Sequence, residues 1–307
     1  YDQKDDWSDI TNLYSGLNQL EPGRIMWEPN SDLNKYGTPM VLMTIPMFTN
    51  HESIEGLYFD SSITTPFHFV TVSGVAESPS NPVGGLSYIN GDFDRGVRYM
   101  KELGVDYFIS YTDSITDKAI MSDELENLFH SSPFTVFRIY SDKVKVVDAE
   151  VVNFSQPELV ERISNSIFKQ EKTDSFFNLA MKEFKLDNKK RIIEGIDAEE
   201  SQIQNRLSDK KSEINNVRIS NNTITFETEH PNELHIVKVS YFPNWKIENG
   251  SGPYRLSPSF MGVIPYSNEV SITFENTSLE KSLNIISLII FLLTAYLLVF
   301  RIKKYAE

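Results

Sequence analysis

Apolar and polar positions change period several times along the 307 residues, and each change marks an element. After Asp92, the residues Val97, Met100 and Leu103 recur at helical spacing. Asp92 or Asp94 is placed to cap that helix and Gly104 to end it. Residues 105–111 then read as a strand. Ser122 is expected to cap a short second helix carrying Leu125, Leu128 and Phe129. Residues 134–140 and 144–147 read as strands joined by a tight turn at Ser141–Asp142. The chain before Asp92 is rich in loops. Its prolines 22, 29, 39, 46, 66, 79 and 82 separate apolar stretches at 40–45 and 67–72. Together these features predict a mixed α/β lobe over residues 1–150.

Residues 151–213 are expected to be a helical, charged segment. Ser155 and Glu158 match a capping box, and Leu159, Ile163 and Ile167 recur every four residues. Thr173 or Asp174 can cap a further helix that presents Phe176, Phe177, Ala180, Met181 and Phe184 on one face. Residues 188–213 are charged and weakly periodic, the pattern of a solvated helix or linker. From 214 to 277 the pattern turns to β. Residues 217–219, 223–228, 234–241, 261–264 and 270–274 alternate or run apolar. Asn221–Asn222, Asn249–Gly250 and Asn268 supply turns. A small antiparallel β-sandwich is expected there, giving an α+β fold class for the soluble part.

The last change is the largest. Residues 283–300 carry no charge, and a run of this length crosses a hydrocarbon core of about 30 Å. A transmembrane helix is expected over 283–302, with a tail at 303–307. Arg301, Lys303 and Lys304 follow at once, whereas Glu280 and Lys281 nearly cancel before it. The positive-inside rule puts the tail in the cytosol and residues 1–280 on the extracytoplasmic side of an integral cell-membrane protein. The chain begins at Tyr1 with a polar, acidic stretch that does not resemble a signal peptide. Upstream transmembrane helices of the same protein are therefore expected to carry the body across. The competing arrangement is a tail-anchored protein with a cytosolic body.

Composition narrows the chemistry. A net charge of −14 and a pI near 4.9 disfavour phosphate backbones, so no nucleic-acid partner is expected. Without cysteine there is no disulfide, thiolate metal site or cysteine nucleophile. His51, Glu52, Glu55, Asp60 and His68 are crowded in a way that oxygen and imidazole metal sites use. Their spacing matches no metal-binding signature, and ordinary loop polarity accounts for them better. Glu28, Asp32, Glu55 and Asp60 are candidate carboxylate pairs for glycosyl chemistry, without a spacing that selects one pair. Gly84–Gly85 lacks the setting of a phosphate loop, and no nucleophile elbow occurs. Tyr241–Phe242–Pro243–Asn244–Trp245 and Gly252–Pro253–Tyr254–Arg255 offer a stacking surface with a cation. The plainer reading puts Phe242 and Trp245 in the sandwich core or at the membrane interface. Asn153, Asn221, Asn249 and Asn276 head N-x-S/T triplets, which matter only in a host that glycosylates.

Two stretches carry a family likeness. One runs through Gly-Arg-Ile-Met-Trp-Glu (23–28), Tyr-Gly-Thr-Pro-Met (36–40), Glu-Gly-Leu-Tyr-Phe-Asp-Ser-Ser (55–62), Thr-Thr-Pro-Phe-His-Phe (64–69) and Leu-Gly-Val-Asp-Tyr-Phe (103–108). The other runs through Val-Lys-Val-Ser-Tyr-Phe-Pro-Asn-Trp (237–245), Gly-Pro-Tyr-Arg (252–255) and Ser-Pro-Ser-Phe-Met (257–261) to the last helix. Together they resemble the C-terminal part of polytopic prokaryotic membrane proteins of the 6-pyruvoyl-tetrahydropterin-synthase-related, YfhO-type group. More distantly, they are similar to GT-C glycosyltransferases. The resemblance implies the extracytoplasmic C-terminal part of a GT-C-like glycosyltransferase in cell-envelope glycan assembly. Its partners would be the lipid bilayer, a polyprenyl-phosphate-sugar donor and an envelope glycan. It implies that the catalytic carboxylate, and any divalent metal, lie upstream, so no cofactor is expected in this chain. Within this chain Glu28, Asp60 and His68 are expected to contact the acceptor, and Trp245 and Arg255 to stack on or dock a glycan. The alternative is a non-catalytic membrane-anchored module that binds envelope glycan or acts as a scaffold.

Overall fold

The computed structural model describes residues 6–55, 64–147, 149–151, 176–185, 191–194, 214–220 and 222–306. The chain is α+β, with helices, several largely antiparallel sheets and one long apolar C-terminal helix. It opens with α1 (Trp7–Leu17) and β1 (Arg24–Trp27), followed by 3₁₀ turns at Ser31–Tyr36 and Val41–Thr44. Next come α2 (Ile45–Phe48), β2 (Glu52–Ser53), α3 (Thr65–Val75), α4 (Phe93–Glu102), β3 (Tyr107–Ser110), α5 (Asp113–Met121), β4 (Leu125–Ser131) and β5 (Phe134–Ile139). Five of these strands form a sheet in the order β2-β1-β3-β5-β4, parallel among the first three and antiparallel after.

Alternation along these strands explains why both faces are covered. Ile25, Trp27, Ile109, Phe134 and Val136 point to one side, where α1 supplies Ile10, Leu13 and Leu17. Met26, Phe108, Phe137 and Ile139 point to the other, against Phe67 and Val70 of α3 and Val97 and Met100 of α4. Asp92 caps α4 by accepting a hydrogen bond from Arg95 N, as its spacing predicts. Gly96 lets α3 approach closely: a Cβ there would lie 2.5 Å from Val75 Cγ1.

The rest of the soluble part is mostly β. It contains β6 (Val144–Val146), β7 (Ala149–Val151), α6 (Phe176–Phe184), β8 (Arg191–Glu194), β9 (Ile214–Ile219), β10 (Thr223–Thr228), β11 (His235–Ser240), β12 (Trp245–Glu248), β13 (Gly250–Leu256), β14 (Phe260–Pro265) and β15 (Glu269–Phe274). A six-stranded sheet runs β6-β11-β14-β13-β8-β7 and a four-stranded sheet runs β12-β15-β10-β9. Ile224, Phe226 and Ile272 of the smaller sheet meet Val237, Met261 and Val263 of the larger in one apolar cluster. The other face of the larger sheet, through Ile236, Leu256 and Ile264, joins the cluster that holds α3, α4 and Phe184 of α6. The layers therefore stack as helix, sheet, helices, sheet, sheet.

Three expectations are corrected. Residues 125–131 are strand β4 and not a helix; a bulge between Asn127 and Phe129 breaks the alternation and imitates helical spacing. The segment at Ser141–Asp142 links β5 and β6, which lie in different sheets, so it closes no hairpin. Arg191–Glu194 is strand β8, inside the segment expected to be helical or linking. The helix expected from Ser155 lies outside the described residues.

The layers are tied together at one point, the C-terminal end of α4. Gly104 takes φ +70° and ends the helix, leaving the carbonyls of Lys101, Leu103 and Gly104 open to side-chain donors. Lys238 Nζ of β11 donates to Lys101 O at 2.5 Å. Arg24 Nη1 of β1 donates to Leu103 O at 2.7 Å and Lys238 O at 2.9 Å. Lys143 Nζ donates to Gly104 O and pairs with Asp106 at 2.6 Å. Glu102 adds ion pairs to Arg191 and Lys145. A helix C-terminus carries partial negative charge, so cations collect there.

Lys238 is only 2 % exposed. Burial, reinforced by Lys145, pushes its ammonium down to about 7; burial also pushes Lys143 down to about 8. Above those values the folded chain holds fewer protons than the unfolded chain, so stability rises with pH until the unfolded lysine titrates near 10.5. The melting temperature is expected to gain from Lys238 as pH climbs from 7. A Lys238→Met variant should show a smaller gain, most clearly between about 8 and 9.5, where the unfolded lysine is still charged and the folded one is not, when followed by circular dichroism.

The final element is α7 (Ser278–Ala306). Its residues Ser278–Leu298 form one helix long and apolar enough to cross a membrane, and none of that window is buried against the rest of the chain. At 1.5 Å per residue these 21 residues rise about 30 Å, the thickness of a hydrocarbon core.

Candidate functional site

A cavity of about 1590 Å³ lies between the first sheet unit and the β-rich part. Its floor is the α4 junction, through Arg24, Leu103, Asp106 and Lys143. One wall is α3, contributing Thr65, His68 and Val72; another is the segment around β2, contributing Asn50, Ser53 and Glu55. The facing wall comes from strand ends in the β-rich part: Ile219, Val239, Ser240 and Phe260. Met40, Met43 and Pro46 add apolar surface to the lining. Its volume exceeds the range of about 300–1,000 Å³ usual for single small ligands, so it suits an extended one.

Strand register places this cavity near the root of α7. Ser240 pairs with Phe260, and Tyr241 N donates to Ser259 O at 2.9 Å. The loop that follows Ser240 delivers Asn244, whose Nδ2 donates to Glu280 of α7 at 2.7 Å. On the neighbouring sheet Ile219 opposes Ile224, which opposes Ile272, two residues before β15 ends. The β wall is thus built from the ends of strands that point toward the apolar helix.

Among the described residues expected to contact acceptor or glycan, His68 lines this cavity, beside Glu55. It is 3 % exposed, and its Nε2 lies 2.5 Å from Glu55 Oε1. Its Nδ1 is buried without a hydrogen-bond partner among the described residues. Glu55 holds the ring in place through Nε2. His51 is committed differently: Nε2 meets Leu17 O at 2.8 Å and Nδ1 accepts from Gly23 N at 3.2 Å. That bonding leaves no lone pair on His51 for a metal. No three His, Asp or Glu side chains converge as a metal site among the described residues.

Glu28, Trp245 and Arg255 do not converge on His68. Glu28 is fully buried, and its carboxylate accepts from Tyr111 N and Thr112 N (both 2.9 Å), Thr112 Oγ1 (2.8 Å) and Glu77 N (3.2 Å). It ties the end of β1 to the loop before α5 and the segment after α3, with its oxygens turned inward and away from any acceptor. Trp245 is buried in the cluster between the two β sheets, with Phe274 edge-on at 5.2 Å. Stacking on a glycan would require that ring to leave the core. Arg255 lies on β13 opposite Met261, with Nε donating to Ser259 Oγ at 3.4 Å, apart from the cavity lining. Asp60 lies outside the described residues.

The residues missed in the sequence are those of the α4 junction, some of which form the cavity floor. Lys238 sits between Val237 and Val239 in an otherwise apolar strand, and that lone charge was the available signal. Arg24, Lys143 and Asp106 are distant in sequence and carry none. No family model, curated protein or solved structure matches the chain.

Four donors on one buried carboxylate make Glu28 a structural group. Glu28→Gln would set an amide donor against those donors and is expected to cost about 2–4 kcal/mol in urea unfolding. A change below about 0.5 kcal/mol would contradict that role.

Proposed function

We propose that this chain is the membrane-anchored, extracytoplasmic C-terminal module of a GT-C-like glycosyltransferase, and that it holds an acceptor glycan rather than performing the transfer. The observation that carries this reading is the cavity: large enough for an extended ligand, lined by Ser, Thr and Asn side chains, and walled by strand ends next to the root of an apolar helix. Hydroxyl and amide groups match the alternating donors and acceptors of a sugar chain. The charges at Arg301, Lys303 and Lys304 favour a cytosolic tail, which puts the cavity outside, on the side where envelope glycans are assembled. The donor would be a polyprenyl-phosphate sugar, with the reacting carboxylate and any divalent metal upstream.

A second reading keeps the anchor and the glycan site but drops the transferase. It is favoured by the internal commitment of Glu28, whose oxygens are used by the fold. Glycan-chain fragments from the cell envelope, titrated into the reconstituted chain by calorimetry, should bind. His68→Phe breaks the His68–Glu55 contact on the cavity wall and is expected to weaken binding about tenfold, the worth of one or two hydrogen bonds. Equal binding by wild type and His68→Phe, or none by wild type, would refute a glycan site in this cavity.

A further inference from the structure

The loop at 241–244 is clamped to the start of α7 from two sides. Glu275 N donates to Asn244 O at 2.9 Å. Glu280 Oε2 accepts from Asn244 Nδ2 at 2.7 Å, Thr277 N at 2.6 Å and Thr277 Oγ1 at 2.8 Å. Thr277 Oγ1 in turn accepts from Glu280 N at 3.2 Å. Thr277 and Glu280 thus form the capping box of α7, and Asn244 locks that box to the β-rich part.

The same loop carries an apolar pair that the fold leaves in the open. Phe242 is 52 % exposed and stacks on Phe274, itself 37 % exposed, with ring centroids 6.0 Å apart. Pro243 beside it is also exposed. Trp245 packs edge-on against Phe274 from the core, so the pair has a rigid backing. Leu279 and Leu283 in the first turns of α7 are exposed as well. Lys246, Glu275 and Lys281 form a charged collar nearby, with Glu275 Oε2 at 3.4 Å from Lys246 Nζ and 3.5 Å from Lys281 Nζ. Aromatic rings beside a charged collar at the mouth of an apolar helix have the composition of a membrane–water interface.

We propose that Phe242, Pro243 and Phe274 form an interfacial foot that inserts into the headgroup–acyl boundary of the bilayer crossed by α7. The foot and the Asn244–Glu280 clamp together set the roll of the β-rich part on the membrane, and Ser240, one residue before the loop, brings the cavity wall down to that surface. This seating rests on the membrane reading of α7 and not on any ligand for the cavity.

The chain has no cysteine, so single cysteines can be introduced without background. Nitroxide labels placed by Phe242→Cys, Tyr266→Cys and Leu288→Cys in the full chain, reconstituted in phosphatidylcholine–phosphatidylglycerol vesicles, report depth through collisions with oxygen or with a water-soluble nickel chelate. Tyr266 is the matched control: it is also 52 % exposed but lies in the turn before β15, at the far end of that strand from α7. Residue 242 is expected to favour oxygen and be shielded from nickel, with 266 the reverse and 288 deeper than 242. Pro243→Cys repeats the measurement should a label at 242 disturb the stacked pair. Water-like accessibility at both 242 and 243, with 288 in lipid, overturns the foot. Water-like accessibility at 288 overturns the membrane reading of α7 and the foot with it.

Discussion

The end of α4 is the contact on which the arrangement depends. Four consecutive residues there, Lys101 to Gly104, engage cations from both sides of the molecule through three carbonyls and one carboxylate. Arg24 belongs to the first sheet; Lys143, Lys145, Arg191 and Lys238 belong to or border the six-stranded sheet. Burying that many cations is costly unless each finds an oxygen, and a helix C-terminus offers unpaired oxygens by its nature. Hydrophobic contact through Met100, Phe184 and Ile236 supplies area but little direction. The hydrogen bonds supply the direction.

The cavity is a consequence of that junction. With α4 fixed, α3 is held by the close approach at Gly96, and α3 carries His68 to the cavity wall. Arg24 and Lys143 are cavity floor and junction at once, so the floor cannot shift without loosening the layers. The opposite wall is carried by strands whose ends are bound to the root of α7. Ligand space, layer packing and membrane attachment are therefore parts of one mechanically connected region.

Much of this was legible in the sequence, where local rules act alone. The α4 helix declares itself through Asp92, its periodic face and Gly104. The strands β10, β11, β14 and β15 declare themselves through alternation and Asn-rich turns. α7 declares itself by length and lack of charge. The readings that failed share a cause, since each depends on distant partners. β4 imitates a helix because of a bulge that only its pairing with β5 reveals. Arg191–Glu194 looks like solvated linker because the oxygens that receive Arg191, on Glu102 and Glu183, lie elsewhere in the chain. α3 is buried on nearly every side, so it has no polar face to mark its period. Among the expected site residues, residue type alone could not separate Glu28, consumed by donors from the fold, from His68, which lines the cavity.

The central claim is that the α4 terminus joins the first sheet and the six-stranded sheet into one cooperative unit. Native-state hydrogen exchange on an Arg24→Ala variant of the full chain in lipid tests it directly. The account predicts that amide protection falls together in the β1–β3 pairing and in the β11–β14 pairing, although Arg24 belongs only to the first. Loss of protection confined to β1 and its neighbours, with β11 and β14 unchanged, would contradict it.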